Sequence, residues 1–176
     1  MPANEVISFN MKTIKTVTNI AIEQHLKKIG GGNHKDNMEQ VLKYKHCLLV
    51  ELSESDFFNL VFLDIAQTKQ LIDRAGSRKL ADIASVANNH PVTNLGLNWD
   101  LADIITKTNN FARDNQEMPA ILLRPAQGNE CKFGQWYLQD GSHRSLGYAM
   151  ALKNKSLVYK PIKAFFVTNE HMLKTE

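Results

Sequence analysis

Five consecutive residues combine side chains that recognise phosphate: Asp140-Gly141-Ser142-His143-Arg144. Ser142 offers a hydroxyl, His143 an imidazole, and Arg144 a planar guanidinium fork whose geometry matches phosphate oxygens. Gly141 has no Cβ, so a ligand can approach the backbone closely at that position. Residues 140–144 are therefore the strongest candidate for a site that binds an anion.

The residues on either side of this motif predict a strand that turns into a helix. Residues 136–139 are apolar or β-favouring, and they follow a turn-like segment at 132–134. Beyond the motif, apolar side chains recur at helical steps, at Leu146, Ala149, Met150 and Leu152. The free N–H groups at the start of such a helix carry a partial positive charge and would lie beside His143 and Arg144. Such a helix start is a ready anion site.

An ordinary structural role for the same residues stays open. Asp-Gly-Ser is common turn chemistry, and Ser is a common residue at the start of a helix. A His-Arg pair is often no more than the solvated first turn of a helix. A protein whose turn merely caps a helix is therefore one alternative, and tight binding of a phosphate analogue would dismiss it.

Two further apolar runs flank the motif, at residues 118–124 and 160–167, and a glycine-containing turn lies at 126–129. The resulting order is strand, turn, strand, Asp-Gly-Ser-His-Arg, helix, strand. This order and this motif resemble the ParB/sulfiredoxin superfamily, whose members bind nucleotide phosphates at a Gly-x-His-Arg or Gly-x-x-Arg turn between a strand and a helix. The resemblance covers residues 118–167 well and the rest of the chain loosely.

Within the superfamily, the motif is similar to the Asp-Gly-x-His-Arg form of free-serine kinase and of plasmid or phage ParB-like proteins, some of them ATPases and DNases. Sulfiredoxin carries its catalytic cysteine just before the His-Arg pair, whereas this chain has Ser142 there. Reduction of sulfinic acids is therefore not expected. The resemblance implies a hydrolase that uses ATP, with Mg²⁺ as a divalent cofactor and DNA cleavage as a second activity. A plasmid fertility-inhibition protein, acting on conjugative DNA transfer and meeting a protein of the transfer apparatus, fits the size of the chain.

The resemblance also assigns catalytic roles. His143 and Arg144 would stabilise developing charge on a phosphoryl group, and His143 would exchange a proton with a bridging oxygen. Asp140 would orient His143 or hold the metal ion. Glu51, at the end of a predicted strand, is the candidate for the base that activates the attacking group, although a solvated carboxylate at a strand end is an equal alternative.

The nucleotide phosphates would be bound by six residues of two elements. Four belong to the motif: Gly141, Ser142, His143 and Arg144. In the superfamily, the helix that precedes the strand beginning near a proline, here the run at 118–124, also contributes to the phosphates, which gives Lys107 and Thr108. The alternative for Lys107 and Thr108 is an ordinary solvated helix face.

Two rival functions stay open. A small-molecule kinase of the same fold, acting on an amino acid, would need a pocket beside Ser142. A non-catalytic nucleotide- or DNA-binding module that inhibits a partner protein would use the same phosphate site without a base. No helix-turn-helix pattern follows the motif, so any DNA contact is expected to lack sequence specificity.

Composition is ordinary for a globular protein. The 176 residues, 43% of them hydrophobic, suffice for one well-packed domain. The net charge of +3 means that nucleic-acid binding would need a local patch of positive charge.

Cys47 and Cys131 have neither paired spacing nor Cys/His neighbours, which favours structural thiols in a reducing cytoplasm. No signal sequence is expected, and no apolar run approaches the ~20 residues of a membrane span.

The predicted fold is α/β (α+β): a single ParB/sulfiredoxin-like domain with a small mixed sheet covered by helices. Strands are expected near residues 47–52, 120–124, 135–139 and 162–167, with helices at 19–29 and, in three pieces, at 68–112. Three glycines at 30–32, followed by polar residues 33–37, predict a flexible linker. We therefore expect an N-terminal extension at 1–40 packed on a main domain at 41–176.

Overall fold

The computed structural model describes residues 11–30, 33–114 and 117–170. In chain order its elements are β1 (Lys12–Thr16), α1 (Asn19–Ile29), α2 (His34–Val41), β2 (His46–Leu52), α3 (Glu54–Phe58), α4 (Lys69–Ala75), α5 (Leu80–Asn88), α6 (Leu101–Arg113), β3 (Ile121–Pro125), a 3-10 turn (Gly128–Lys132), β4 (Trp136–Asp140), α7 (Ser142–Lys153) and β5 (Ile162–Thr168).

The strands form one mixed sheet in the order β1-β2-β5-β3-β4. Neighbouring strands are antiparallel except β3 and β5, which are parallel. The predicted α/β class is confirmed, and each of the four predicted strands lies within one residue of its observed bounds. The division of the chain at residue 40 stays a prediction, and residues 1–10 lie outside the described part of the chain.

Helices pack on both faces of the sheet because its inner strands are apolar on both faces. In β5, Ala164 and Phe166 belong to the larger core cluster, together with residues of α3 to α7, whereas Val167 belongs to a smaller cluster with Ile22 and Val41 of α1 and α2. Strands buried in this way appear in the sequence as continuous apolar runs. This is why the runs at 120–124 and 162–167 were sufficient to predict strands.

The predicted linker after the three glycines is wrong from residue 34 onward. Residues 34–41 form α2, and its Met38, Val41 and Asn37 side chains are buried against the sheet. Only two of these side chains are apolar, so the helical pattern is weak in the sequence, and tertiary burial stabilises the helix. The consequence for the site is that Asn37 comes to lie beside the motif.

Helix α7 lies against α6 at an unusually short distance. A Cβ atom on Gly147 would be 2.1 Å from Thr108 Oγ1 and 2.8 Å from the Ile104 carbonyl oxygen. Only glycine permits this approach of the two helix backbones. The packing fixes the position of the first turn of α7 relative to α6 and to the loop that precedes it.

Within the residues that the structure describes, no helix combines the length and the apolar character needed to cross a membrane.

Candidate functional site

The motif forms the predicted turn between strand and helix. Strand β4 ends at Asp140, and α7 begins at Ser142. Gly141 between them has φ 98° and ψ 24°, a conformation that side chains with a Cβ rarely adopt. A Cβ there would also lie 2.7 Å from Ile121 Cγ2 and 2.9 Å from Arg144 Cζ. Glycine is therefore required at this position for both conformation and space.

The start of α7 has no side-chain cap among the described residues. The first bond of the helix is the donation from the Ser145 amide to the Gly141 carbonyl, at 2.9 Å. The amides of Ser142, His143 and Arg144 precede it and have no partner within the helix. They carry the positive end of the helix dipole, so the turn is suited to an anionic ligand.

His143 is held in one tautomer by the loop before α6. Its Nε2 lies 3.0 Å from the Asn98 carbonyl oxygen, which can only accept, so Nε2 carries the proton. The imidazole stacks on Trp99, with ring centroids 4.0 Å apart and an interplanar angle of 27°. Trp99 is itself buried, edge-to-face against Phe62. The neutral ring therefore has an unprotonated Nδ1 that can accept a proton.

The surroundings of His143 favour its neutral form. Partial burial lowers the pKa of His143 below its ordinary value of 6.5; the hydrogen bond to Asn98 opposes this change, and the positive charges of Lys107 and Arg144 add to it. The imidazole is therefore uncharged at neutral pH. A neutral imidazole with a free Nδ1 fits a general base better than it fits a cationic phosphate ligand.

The orientation expected for Arg144 is wrong in this structure. Its guanidinium donates to the carbonyl oxygens of Ala120, at 2.8 Å, and Pro119, at 3.3 Å, and lines a small recess with Asp140 and Asn37. It also lies 3.4 Å from Asp140 Oδ2. Burial lowers the pKa of Arg144, and the charge and hydrogen bond of Asp140 oppose that change. Arg144 thus ties residues 119–120, just before β3, to the turn, and the Ala120 carbonyl is also bonded by His25 Nε2 at 3.0 Å.

Asp140 does not fit the predicted metal ligand. Its Oδ1 accepts from the side-chain amide of Asn37 at 3.1 Å, and its Oδ2 faces the Arg144 guanidinium. A carboxylate already paired with a cation and an amide is a poor ligand for a second cation. Nor does Asp140 orient His143, which is fixed by Asn98 instead. Within the described residues no group of three or more His, Cys, Asp or Glu side chains could hold a metal ion.

A polar network continues from Asp140 along the sheet. Asn37 Oδ1 accepts from Gln139 Nε2 at 3.0 Å, and Gln139 Oε1 accepts from Arg124 Nε at 2.8 Å. Arg124 in turn forms a bidentate pair with Glu130, at 2.8 and 3.1 Å. Burial alone would raise the pKa of Glu130, but Arg124 and the Gln127 amide lower it on balance. Reasoning from the sequence missed this network because its members are 102 and 15 residues apart.

The structure does not bring Glu51 to the motif, so its predicted role as base is wrong. Glu51 lies on β2, opposite Lys12 of β1 and Lys163 of β5 in the register of the sheet. Three strand spacings separate β2 from β4, which is about 14 Å at about 4.8 Å per spacing. At that distance Glu51 does not reach a phosphate held on the first turn of α7.

The two predicted residues of α6 have different surroundings. Thr108 is only 2% exposed, donates to the Ile104 carbonyl at 2.9 Å and abuts Gly147. It packs α6 on α7, so its predicted phosphate contact is wrong.

Lys107 is solvent-exposed, pairs with Asp103 at 2.8 Å and is near enough to lower the pKa of His143. Lys107 therefore remains a candidate for the phosphate site.

Asp140→Ala is expected to lower the free energy of unfolding by about 1 kcal/mol, because the Arg144 guanidinium and the Asn37 amide each lose an acceptor in a partly buried position. Asp140→Asn, which keeps an acceptor, should cost less. Asp73→Ala removes an exposed ion pair with Lys69 and serves as a control, with an expected change under about 0.5 kcal/mol. Urea denaturation measures all three, and equal stabilities of Asp140→Ala and the control would contradict the prediction.

Comparison of the chain with protein-family models, with curated proteins and with solved structures gives no match. Function must therefore be inferred from the geometry of the site.

Proposed function

We propose that this protein is a nucleotide-binding enzyme that holds the phosphates of ATP on the first turn of α7 and hydrolyses ATP. The observation that carries the proposal is the uncapped helix start behind Gly141, with a neutral His143 fixed beside it. Lys107, from α6, supplies an exposed positive charge near enough to lower the pKa of His143. These groups match the needs of phosphoryl transfer, which are positioning and stabilisation of negative charge.

In the proposed reaction, a water molecule attacks the γ-phosphorus of ATP. The new oxygen–phosphorus bond forms as the bond to the β,γ-bridging oxygen breaks, and ADP leaves with that electron pair. The proton of the attacking water passes to Nδ1 of His143, which is free to accept it because Nε2–H donates to Asn98. The amides of Ser142 and His143 and the Lys107 ammonium would stabilise the charge on the transferred phosphoryl group.

A non-catalytic nucleotide-binding module is the second candidate. It is favoured by the position of Glu51, three strands from the motif, and by the engagement of Asp140 with Asn37 and Arg144. Neither carboxylate can then activate water at the turn. If His143 does not serve as base, the same geometry supports binding alone.

The resemblance to the ParB/sulfiredoxin superfamily stays a prediction, and the further activities that it implies depend on it alone. No contact among the described residues favours DNA cleavage, inhibition of conjugative transfer or amino-acid phosphorylation. The test therefore uses ATP and not linear DNA or free serine.

The proposal is tested by incubating the purified protein with ATP and magnesium while phosphate release and nucleotide binding are measured separately. We expect wild type to bind ATP and release phosphate, and Glu51→Gln to do both at the wild-type level because Glu51 lies far from the turn. Binding without phosphate release would favour the non-catalytic module. Absence of ATP binding would overturn the proposed function.

A further inference from the structure

Trp99 covers one face of the His143 ring, and the core fixes its position. The indole is 4% exposed and meets Phe62 edge-to-face, with ring centroids 6.0 Å apart and an interplanar angle of 89°. The His143 imidazole stacks on the indole at a centroid distance of 4.0 Å, whereas part of His143 remains open to solvent. The imidazole therefore lies between a buried aromatic surface and the solvent.

The loop that carries Trp99 is held by its own hydrogen bonds. The Leu95 amide donates to the Trp99 carbonyl and the Trp99 amide to the Gly96 carbonyl, both at 2.7 Å. Asn98 has φ 62°, a left-handed conformation that asparagine adopts more readily than most residues. Its carbonyl oxygen lies 3.0 Å from Nε2 of His143. One loop thus presents both an indole face and a carbonyl acceptor to the same ring.

Both of these groups favour the protonated form of His143. A cation within about 6 Å of a tryptophan ring is attracted by the negative face of the π system, and the imidazole lies well inside that distance. The Asn98 carbonyl accepts from Nε2–H, and a hydrogen bond from a charged donor is stronger than one from a neutral donor. Both interactions therefore strengthen when the ring gains a proton.

The charged side chains around His143 act in the opposite direction. Lys107 of α6 and the adjacent Arg144 add to the effect of burial and lower the pKa of His143. The acidic side chains of the neighbouring elements are engaged elsewhere: Asp100 accepts from amides at the start of α6, and Asp103 pairs with Lys107. The interactions that offset the two cations therefore come from the loop before α6.

We propose that Trp99 is a positioning residue, whose indole face holds the His143 ring and stabilises the imidazolium that forms when Nδ1 takes a proton from the attacking water. The inference rests on the proposed function and adds a residue to its reaction. As the O–H bond of water breaks and the N–H bond forms at Nδ1, positive charge develops on a ring already stacked on the indole. An interaction that strengthens with this charge raises kcat and leaves the affinity for ATP unchanged.

Steady-state kinetics of Trp99→Leu and Trp99→Phe test this role. Leucine keeps an apolar cover over the ring but has no π system, so we expect kcat for ATP hydrolysis to fall about tenfold and KM to stay within about threefold of wild type. Phenylalanine keeps a weaker π face and should restore kcat to within about threefold of wild type. Trp136→Phe is the control, because Trp136 begins β4 at the end remote from the motif, and it should change neither parameter.

Titration of the His143 ring by NMR supplies a measurement that needs no ATP, with His143→Gln to identify its resonances. We expect the pKa of His143 to be lower in Trp99→Leu than in wild type, and intermediate in Trp99→Phe, because the charged ring loses its π partner. The acid limb of the rate profile should move to lower pH with it.

The outcomes separate this inference from the proposed function. An unchanged or higher His143 pKa in Trp99→Leu would overturn the role of the indole even if activity falls. A loss of kcat with a matching rise in KM, not restored by phenylalanine, would also overturn it, since Trp99 would then serve packing alone. Absence of ATP hydrolysis in wild type would overturn the proposed function, and the NMR titration would then decide by itself whether the indole stabilises the charged ring.

Discussion

Replacing His143 by alanine is expected to lower the rate of ATP hydrolysis about hundredfold, the usual contribution of a positioned general base. The substitution removes the Nδ1 acceptor and also the Nε2–H bond that ties the first turn of α7 to the Asn98 carbonyl. His143→Gln separates these losses, because glutamine can still donate to Asn98 but accepts no proton at neutral pH. We expect the glutamine variant to bind ATP within about threefold of wild type and to hydrolyse it as slowly as the alanine variant.

The pH dependence gives an independent measure of the same role. Because the His143 pKa lies below its ordinary value of 6.5, the ring is neutral at pH 7 to 8 and gains a proton as the pH falls through that lowered pKa. The rate of hydrolysis in wild type should therefore be constant between about pH 8 and 7 and fall in the acid range, at lower pH than an ordinary histidine would give. The residual rate of His143→Gln should lack this acid limb. A wild-type rate in either variant would show that His143 is not the base.

Gly147→Ala is expected to lower the free energy of unfolding by about 2 kcal/mol. The added Cβ would meet Thr108 Oγ1 at 2.1 Å and the Ile104 carbonyl at 2.8 Å, so α6 and α7 must separate. Overpacking of this kind costs about 1–3 kcal/mol or more, and the better helix propensity of alanine offsets about 1 kcal/mol of it. Urea or thermal unfolding followed by circular dichroism measures the change.

The clash also predicts a partial rescue. Adding Thr108→Ala to Gly147→Ala removes the nearer of the two obstructing atoms but leaves the Ile104 carbonyl in place. We expect the double variant to recover about half of the lost stability, a coupling typical of residues in contact. Thr106→Ala, at an exposed threonine two residues earlier on α6, is the control and should change stability by under about 0.5 kcal/mol. No loss of stability in Gly147→Ala would contradict the close packing of the two helices.

The elements themselves were largely predictable from the sequence. The buried strands follow from apolar runs, and α5, α6 and α7 follow from apolar stripes at helical spacing. Helix α2 escaped prediction because Met38 and Val41 are its only apolar buried side chains. Its stability comes from packing on the sheet and from the bonds of Asn37 to Gln139 and Asp140, which no local pattern indicates.

The candidate site was predictable only in part, for a related reason. His143 was placed correctly beside the helix start, but its partners Asn98 and Trp99 lie more than forty positions earlier in the chain. Nothing in their own neighbourhood marks these two residues as contacts of the motif. Glu51 failed as a candidate because the sheet order β1-β2-β5-β3-β4 inserts two strands between β2 and β4.

The sequence by itself determined the turn at residues 140–144. A strand of β-favouring residues, a glycine without Cβ and a helical stripe are local properties, and they suffice to place a helix start after Gly141. That this start has no side-chain cap is known only from the structure. Only the tertiary structure decided which groups face that start. Arg144 turns to carbonyls at the beginning of β3 and Asp140 turns to Asn37, because partly buried polar groups take the nearest partners that the fold supplies. Those partners are set by strand order and helix packing, which depend on contacts across the whole chain.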